Sequence, residues 1–188
     1  MEGLDDTINA VDLPNGSNQE DCNARKIVDP AILIAIENRK KDWLSDNNQK
    51  WALGKRREEI FEHFGNNPEP VAYIRDHNLN VFGISDNDMA DQLVYSGKGY
   101  FIDHSVNHHA SVTAEKYKYI QSVLDYPDHI KRMNVDGKES IVFIKKLKRW
   151  NAISIQREDT PNGSRLWYKN FFEQKKEPYK SLTDIQLS

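Results

Sequence analysis

The sequence predicts an α+β domain, helices first and an antiparallel sheet last, and three observations carry that expectation. Two runs with apolar residues at helical spacing occupy positions 29 to 64. Three β-branched and aromatic runs fill positions 139 to 174, separated by turn dipeptides. The 188 residues are 38% hydrophobic and 29% charged, the make-up of a water-soluble globular chain with a modest core.

Residues 1 to 27 read as an acidic flexible arm, since the first 24 positions hold no Lys or Arg and centre on the turn-rich "LPNGSNQ". The next segment, residues 28 to 66, is helical. In "DPAILIAIENRKKDWL", Asp29 can cap the helix and Pro30 suits the first helical position, where no NH partner is required. "WALGKRREEIFEHF" predicts a second helix with Leu53, Ile60, Phe61 and Phe64 on one face, stopped by "GNNPEP". Residues 67 to 188 form the remaining domain. "VAYIRDHNLNVFGI" reads as a short extended pair, and "SDND" as the start of a short helix to about Leu93. Gly97-Lys98-Gly99 breaks the chain but lacks the glycine spacing and the trailing Ser or Thr of a phosphate loop.

"YFIDHSVNHH" is helix-compatible, and a further helix from Thr113 to about Asp125 presents Tyr117, Ile120, Val123 and Leu124 at helical spacing. "ESIVFIKKL", "WNAISIQRE" and "SRLWYKNFFEQ" then predict a three-stranded meander. Asp136-Gly137 precedes it, and Asn162-Gly163 marks its last hairpin. One face of such a sheet has to be covered, most economically by the helices before it.

No segment approaches the ~18 apolar residues of a membrane-spanning helix, and the N-terminus lacks a signal-peptide layout, so a cytoplasmic protein without membrane contact is expected. The single cysteine, Cys22, can form no internal disulfide. The net charge of −3 hides an asymmetry: residues 129 to 180 carry 13 Lys and Arg against 6 Asp and Glu. A clustered positive field attracts polyanions, RNA among them.

Four of the six histidines, His104, His108, His109 and His129, fall between positions 101 and 130. On a helix His104 and His108 share one face, four residues apart. A zinc site is not expected there, because the zincin Glu is missing and the sequence offers no obvious third ligand. No cofactor is expected either.

The succession "HASVTAEKYKYIQSVLDYPD", "IVFIKKLKRWNAISIQRE" and "LWYKNFFEQKKEPYKSL" resembles the phage-associated Barnase/EndoU/Colicin/RelE-like nuclease domains found at the C-termini of MuF-type head proteins and related toxins. The likeness covers about residues 90 to 182 and rests on His109, Val112, Thr113, Glu115, Tyr117, Leu124, Pro127 and Asp128. Ala110 and Ser111 replace the family's Pro-Glu, and Asn170 stands where relatives often carry Ser or Thr. The resemblance implies a toxin-like hydrolase that cuts tRNA or another RNA without a metal, by turning a ribose 2′-hydroxyl against the adjacent phosphate. It makes His109 the principal acid or base, assisted by His104 or His108, with Asn170 in the catalytic strand. Lys145 or Lys146 would hold the phosphate; both faces of their strand are apolar, so alternation leaves the choice open. Arg157 and Lys169 would line the RNA groove, and Tyr168 or Trp167 would stack a base. The partners implied are RNA and a phage head or immunity protein, with phage delivery or virion association as a second location. The alternative is an inactive, binding-only relative.

Overall fold

A computed structural model of the chain describes residues 29–84, 93–108 and 114–186. The N-terminal arm, the "SDND" segment and residues 109–113, with His109 and Thr113, lie outside the described residues.

Three helices come first: α1 (Pro30–Trp43), α2 (Asp46–Ala52) and α3 (Arg57–Phe64). Asp29 caps α1 as expected, its carboxylate accepting from the Ala31 N–H at 2.8 Å with Pro30 opening the helix. The single helix expected over 51 to 64 is instead two. The chain turns at Gly54, in the left-handed region (φ +78°), and this leaves Leu53 two-thirds exposed while Ile60 is buried.

Strand β1 (Pro68–Tyr73) follows, then a single helical turn, α4 (Asp76–Leu79), and a 3₁₀ turn. The extended pair expected over 71 to 84 is thus one strand and a turn, because Gly83 ends the 3₁₀ segment at φ +71° rather than joining two strands. Strand β2 (Leu93–Gly97) starts where a helix was expected to finish. It leads directly into α5 (Lys98–Asp103), a π turn (His104–His108), a 3₁₀ turn (Ala114–Tyr119) and α6 (Ile120–Asp125). Four strands complete the chain: β3 (His129–Val135), β4 (Lys138–Lys146), β5 (Trp150–Thr160) and β6 (Gly163–Gln174).

The meander is present and larger than the sequence reading. Strands β3 to β6 pair antiparallel in order, and Asp136 and Gly137 both take positive φ at the β3–β4 turn, as a two-residue hairpin of that type requires. Beyond β6, the parallel strand β2 and then β1 extend the sheet to six strands, order β1-β2-β6-β5-β4-β3, so the sheet is mixed.

Alternation along β4 assigns the two faces. Ile141 and Phe143 join Ile153, Ile155, Leu166, Tyr168 and Phe171 in the core under α6. Val142 and Ile144 join Ala152 in a second cluster capped by Tyr179 of the C-terminal tail. Lys131 fastens that tail. It is only 3% exposed, and its ammonium donates to the carbonyls of Tyr179 and Leu182 at 3.0 and 2.8 Å. His129 bonds Asp184 at 2.8 Å, and the Ile185 N–H donates to the Ile130 carbonyl. His129 is therefore a structural residue that pins the tail.

Candidate functional site

Two features of the chain build the site: a close approach of α3 to α5 and a bulge in β6. At Gly99 the backbone N–H donates to the Gly65 carbonyl at 2.8 Å, and a Cβ on Gly99 would stand 2.8 Å from that same oxygen. Only glycine lets α5 lie this close. The segment that reads as a chain break is therefore a packing seam.

The α-helix of α5 then widens into a π turn, in which residues five apart rather than four come into register. That register sets His108 against Asp103, His108 Nε2 lying 3.2 Å from Asp103 Oδ2. Asp103 is 2% exposed, and a buried carboxylate has to be hydrogen-bonded. Asn107 Nδ2 donates to its second oxygen at 3.1 Å, and the Arg57 guanidinium stands 4.0 Å away. Asn107 is itself tied to α2 and the following turn, its Oδ1 accepting from the Gly54 N–H at 3.1 Å. The imidazole of His104 lies between two rings, 4.6 Å from His108 and 4.2 Å from Tyr100.

Tyr100 links this column to the sheet. In the β5–β6 ladder, Ser154 pairs with Asn170 and Ile155 with Tyr168, which leaves Lys169 as the extra residue of a β-bulge. Bulges re-aim side chains and interrupt pairing. Parallel pairing of β2 with β6 stops at Tyr95↔Trp167, and the Tyr100 hydroxyl donates to the Lys169 carbonyl at 2.7 Å instead. Burial pushes that hydroxyl up to about 12, so it stays a neutral donor. The Lys169 ammonium sits over the Tyr100 ring, 5.2 Å from its centre. Desolvation, then the neighbouring charges of Lys138 and Arg57, depress the Lys169 pKa, with Glu158 opposing.

A groove of about 670 Å³ opens beside Lys169, with Trp167, Arg157, Gln156, Lys138 and Phe82 in its lining. Arg157 is held in place by Asp159 at 2.7 Å and the Phe82 carbonyl at 2.8 Å. Trp167 donates from its indole to Glu158 at 2.8 Å and lies 6.5 Å from Tyr95 on the neighbouring strand.

The fold thus gathers His104 and His108 into one column, and Arg157, Lys169 and Trp167 around one groove, with Lys169 common to both. Tyr168 belongs to neither. It is 2% exposed and packs 4.9 Å from Phe101, so the expectation that it stacks a base is corrected by its burial in the core. Lys145 and Lys146, expected to hold the phosphate, lie apart from the bulge. They end β4, two strands and four to five residues from the bulge, roughly 17 Å away by sheet spacing. Lys145 donates to the Tyr126 carbonyl at 2.7 Å, and Lys146 lies over Trp150. Asn170 adjoins the bulge, its buried Oδ1 making no hydrogen bond among the described residues.

Arg57, Tyr100, Asp103 and Lys138 are the residues the sequence reading missed. Comparison of the chain with protein-family models, with curated proteins and with solved structures finds no match in any of the three.

Proposed function

We propose that the chain is a metal-independent endoribonuclease of the kind its likeness to Barnase/EndoU/Colicin/RelE-like domains implies, with the column His108–His104–Tyr100–Lys169 as its centre. The observation that carries this reading is Lys169. It is a half-buried ammonium on a bulge, its charge disfavoured first by desolvation and then by the two nearby cations Lys138 and Arg57, and a phosphate diester would offset both. At the other end of the column, beyond Tyr100 and His104, stands an imidazole oriented by a buried carboxylate, the arrangement that moves protons.

In this reading His108 accepts the proton of a ribose 2′-hydroxyl, and the 2′-oxygen attacks the adjacent phosphorus. The bond to the 5′-oxygen breaks, and the leaving oxygen takes a proton from His104. The products are a 2′,3′-cyclic phosphate and a 5′-hydroxyl end. Lys169 and Arg57 stabilise the charge that gathers on the phosphate oxygens, while the groove holds the flanking nucleotides against Trp167. His109, the principal acid or base in the resemblance, lies outside the described residues, and both proton transfers are assigned to His108 and His104.

The test is incubation of the full chain with single-stranded RNA and with tRNA in EDTA. Cleavage leaving cyclic phosphate ends, lost in His108→Ala and in Lys169→Met, is expected. RNA left intact by wild-type protein, or cleaved equally by both variants, overturns the reading. One observation favours a binding-only relative: the His104 ring is sandwiched between two others, which restricts its access to a leaving group. RNA retained by the groove without turnover would identify that case.

A further inference from the structure

The sequence denied the histidines a third metal ligand, and the π turn supplies one. Asp103, His104 and His108 each offer one ligand atom, and these atoms all lie within 4.8 Å of one another. We propose that the three form a binding site for a borderline divalent cation of the zinc class, a property beyond the nuclease reading and independent of it.

The donor set selects the ion. Two imidazoles and one carboxylate are what zinc takes in three-ligand sites, whereas calcium and magnesium demand six or more oxygens and find one carboxylate here. Three protein ligands leave a fourth position for water or a phosphate oxygen. The outer shell is already built. Asn107 donates to Asp103 Oδ1, which holds the other oxygen, Oδ2, toward His108, and Asn107 is in turn fixed by Gly54. Ligand atoms on one tetrahedral zinc stand about 3.3 Å apart, so the side chains have to close by an ångström or so. His108 has room to do that, with its side chain 52% exposed, while Asp103 serves as the fixed anchor. Arg57 opposes the cation from 4.0 Å, and its side chain, also 52% exposed, has to swing outward as the ion enters.

An ion on His104 and His108 occupies the nitrogens that the nuclease reading uses for proton transfer, so zinc would act as an inhibitor of RNA cleavage rather than as its cofactor.

The test is titration of zinc into the chelator-stripped full chain, in competition with a chromogenic zinc indicator. One equivalent is expected to bind. The double variant His104→Ala/His108→Ala should lose it, and Asn107→Ala, an outer-shell change, should weaken it about tenfold. His63→Ala removes a histidine that stacks on Trp51 and should bind as wild type. Circular dichroism checks that each variant is folded. No zinc retained by wild type, or zinc retained undiminished by the double variant, overturns the proposal. RNA left intact by the metal-free protein would count against the nuclease reading alone, since the titration does not depend on turnover.

Discussion

Lys169 is charged in a place that disfavours charge. Because its folded pKa is depressed, the penalty acts while it is protonated and lifts only as pH rises past that lowered value. Lys169→Met should therefore leave the thermal midpoint unchanged or higher, while RNA cleavage falls by about 10²- to 10³-fold, the loss expected when one stabilising group is removed from a developing anion. A melting curve and a cleavage assay on one preparation check both halves. Asp103 behaves in the opposite way. Asp103→Ala strips Asn107 and His108 of a buried acceptor and should cost about 1–3 kcal/mol in chemical denaturation, in addition to abolishing cleavage. The pairing of His104 with His108 was legible from their spacing. Asp103 stood in plain view in "FIDHSVNHH", but a 3.6-residue helix puts positions 103 and 108 on different sides, and only the wider π turn unites them. Nothing in the sequence marks where an α-helix widens.

The seam between α3 and α5 sets the whole site. Gly99→Ala would drive a methyl toward the Gly65 carbonyl and the Phe61 ring, at 2.8 and 2.9 Å, and α5 would have to move outward. A cost of about 1–3 kcal/mol is expected from such overpacking, with cleavage and zinc binding reduced more than the remaining stability explains. Denaturation curves beside both assays decide it. Legibility at this scale followed turn chemistry. Asp136-Gly137 and Asn162-Gly163 announced their hairpins because few residues tolerate positive φ. "LVYSG" announced nothing, being five residues long and ending in glycine. Its strand exists because β1 and β6 flank it, a tertiary cause that a local reading lacks. The bulge at Lys169 was hidden for the same reason, since register belongs to two strands at once.

At the scale of the molecule, the helices cover one face of the sheet and the C-terminal tail caps the apolar cluster on the other. The second cover was not foreseen, because "KKEPYKSLTDIQLS" is polar and its attachment depends on the buried Lys131. The Asp184 carboxyl is held below its ordinary value of 3.8 by its hydrogen bond to His129, with Lys131 adding to the effect, and Glu177 lies on the other side of His129 at 3.8 Å. Its contribution is thus complete above that ordinary value and is lost as pH falls through the lowered one. Limited proteolysis should therefore release the wild-type tail faster as pH falls through that range, whereas Asp184→Asn, which lacks the carboxylate at every pH, should release it readily at neutral pH already and respond little to acid. The tail also closes a border of the sheet. Its bridge to Lys131 and the bond from Ile185 to Ile130 occupy the outer rim of β3, while Pro68 and Pro70 deny hydrogen-bond donors along the outer rim of β1. Both rims are thus guarded against a foreign strand, and a chain cut short before residue 179 would offer β3 as a template on which copies could stack into aggregates.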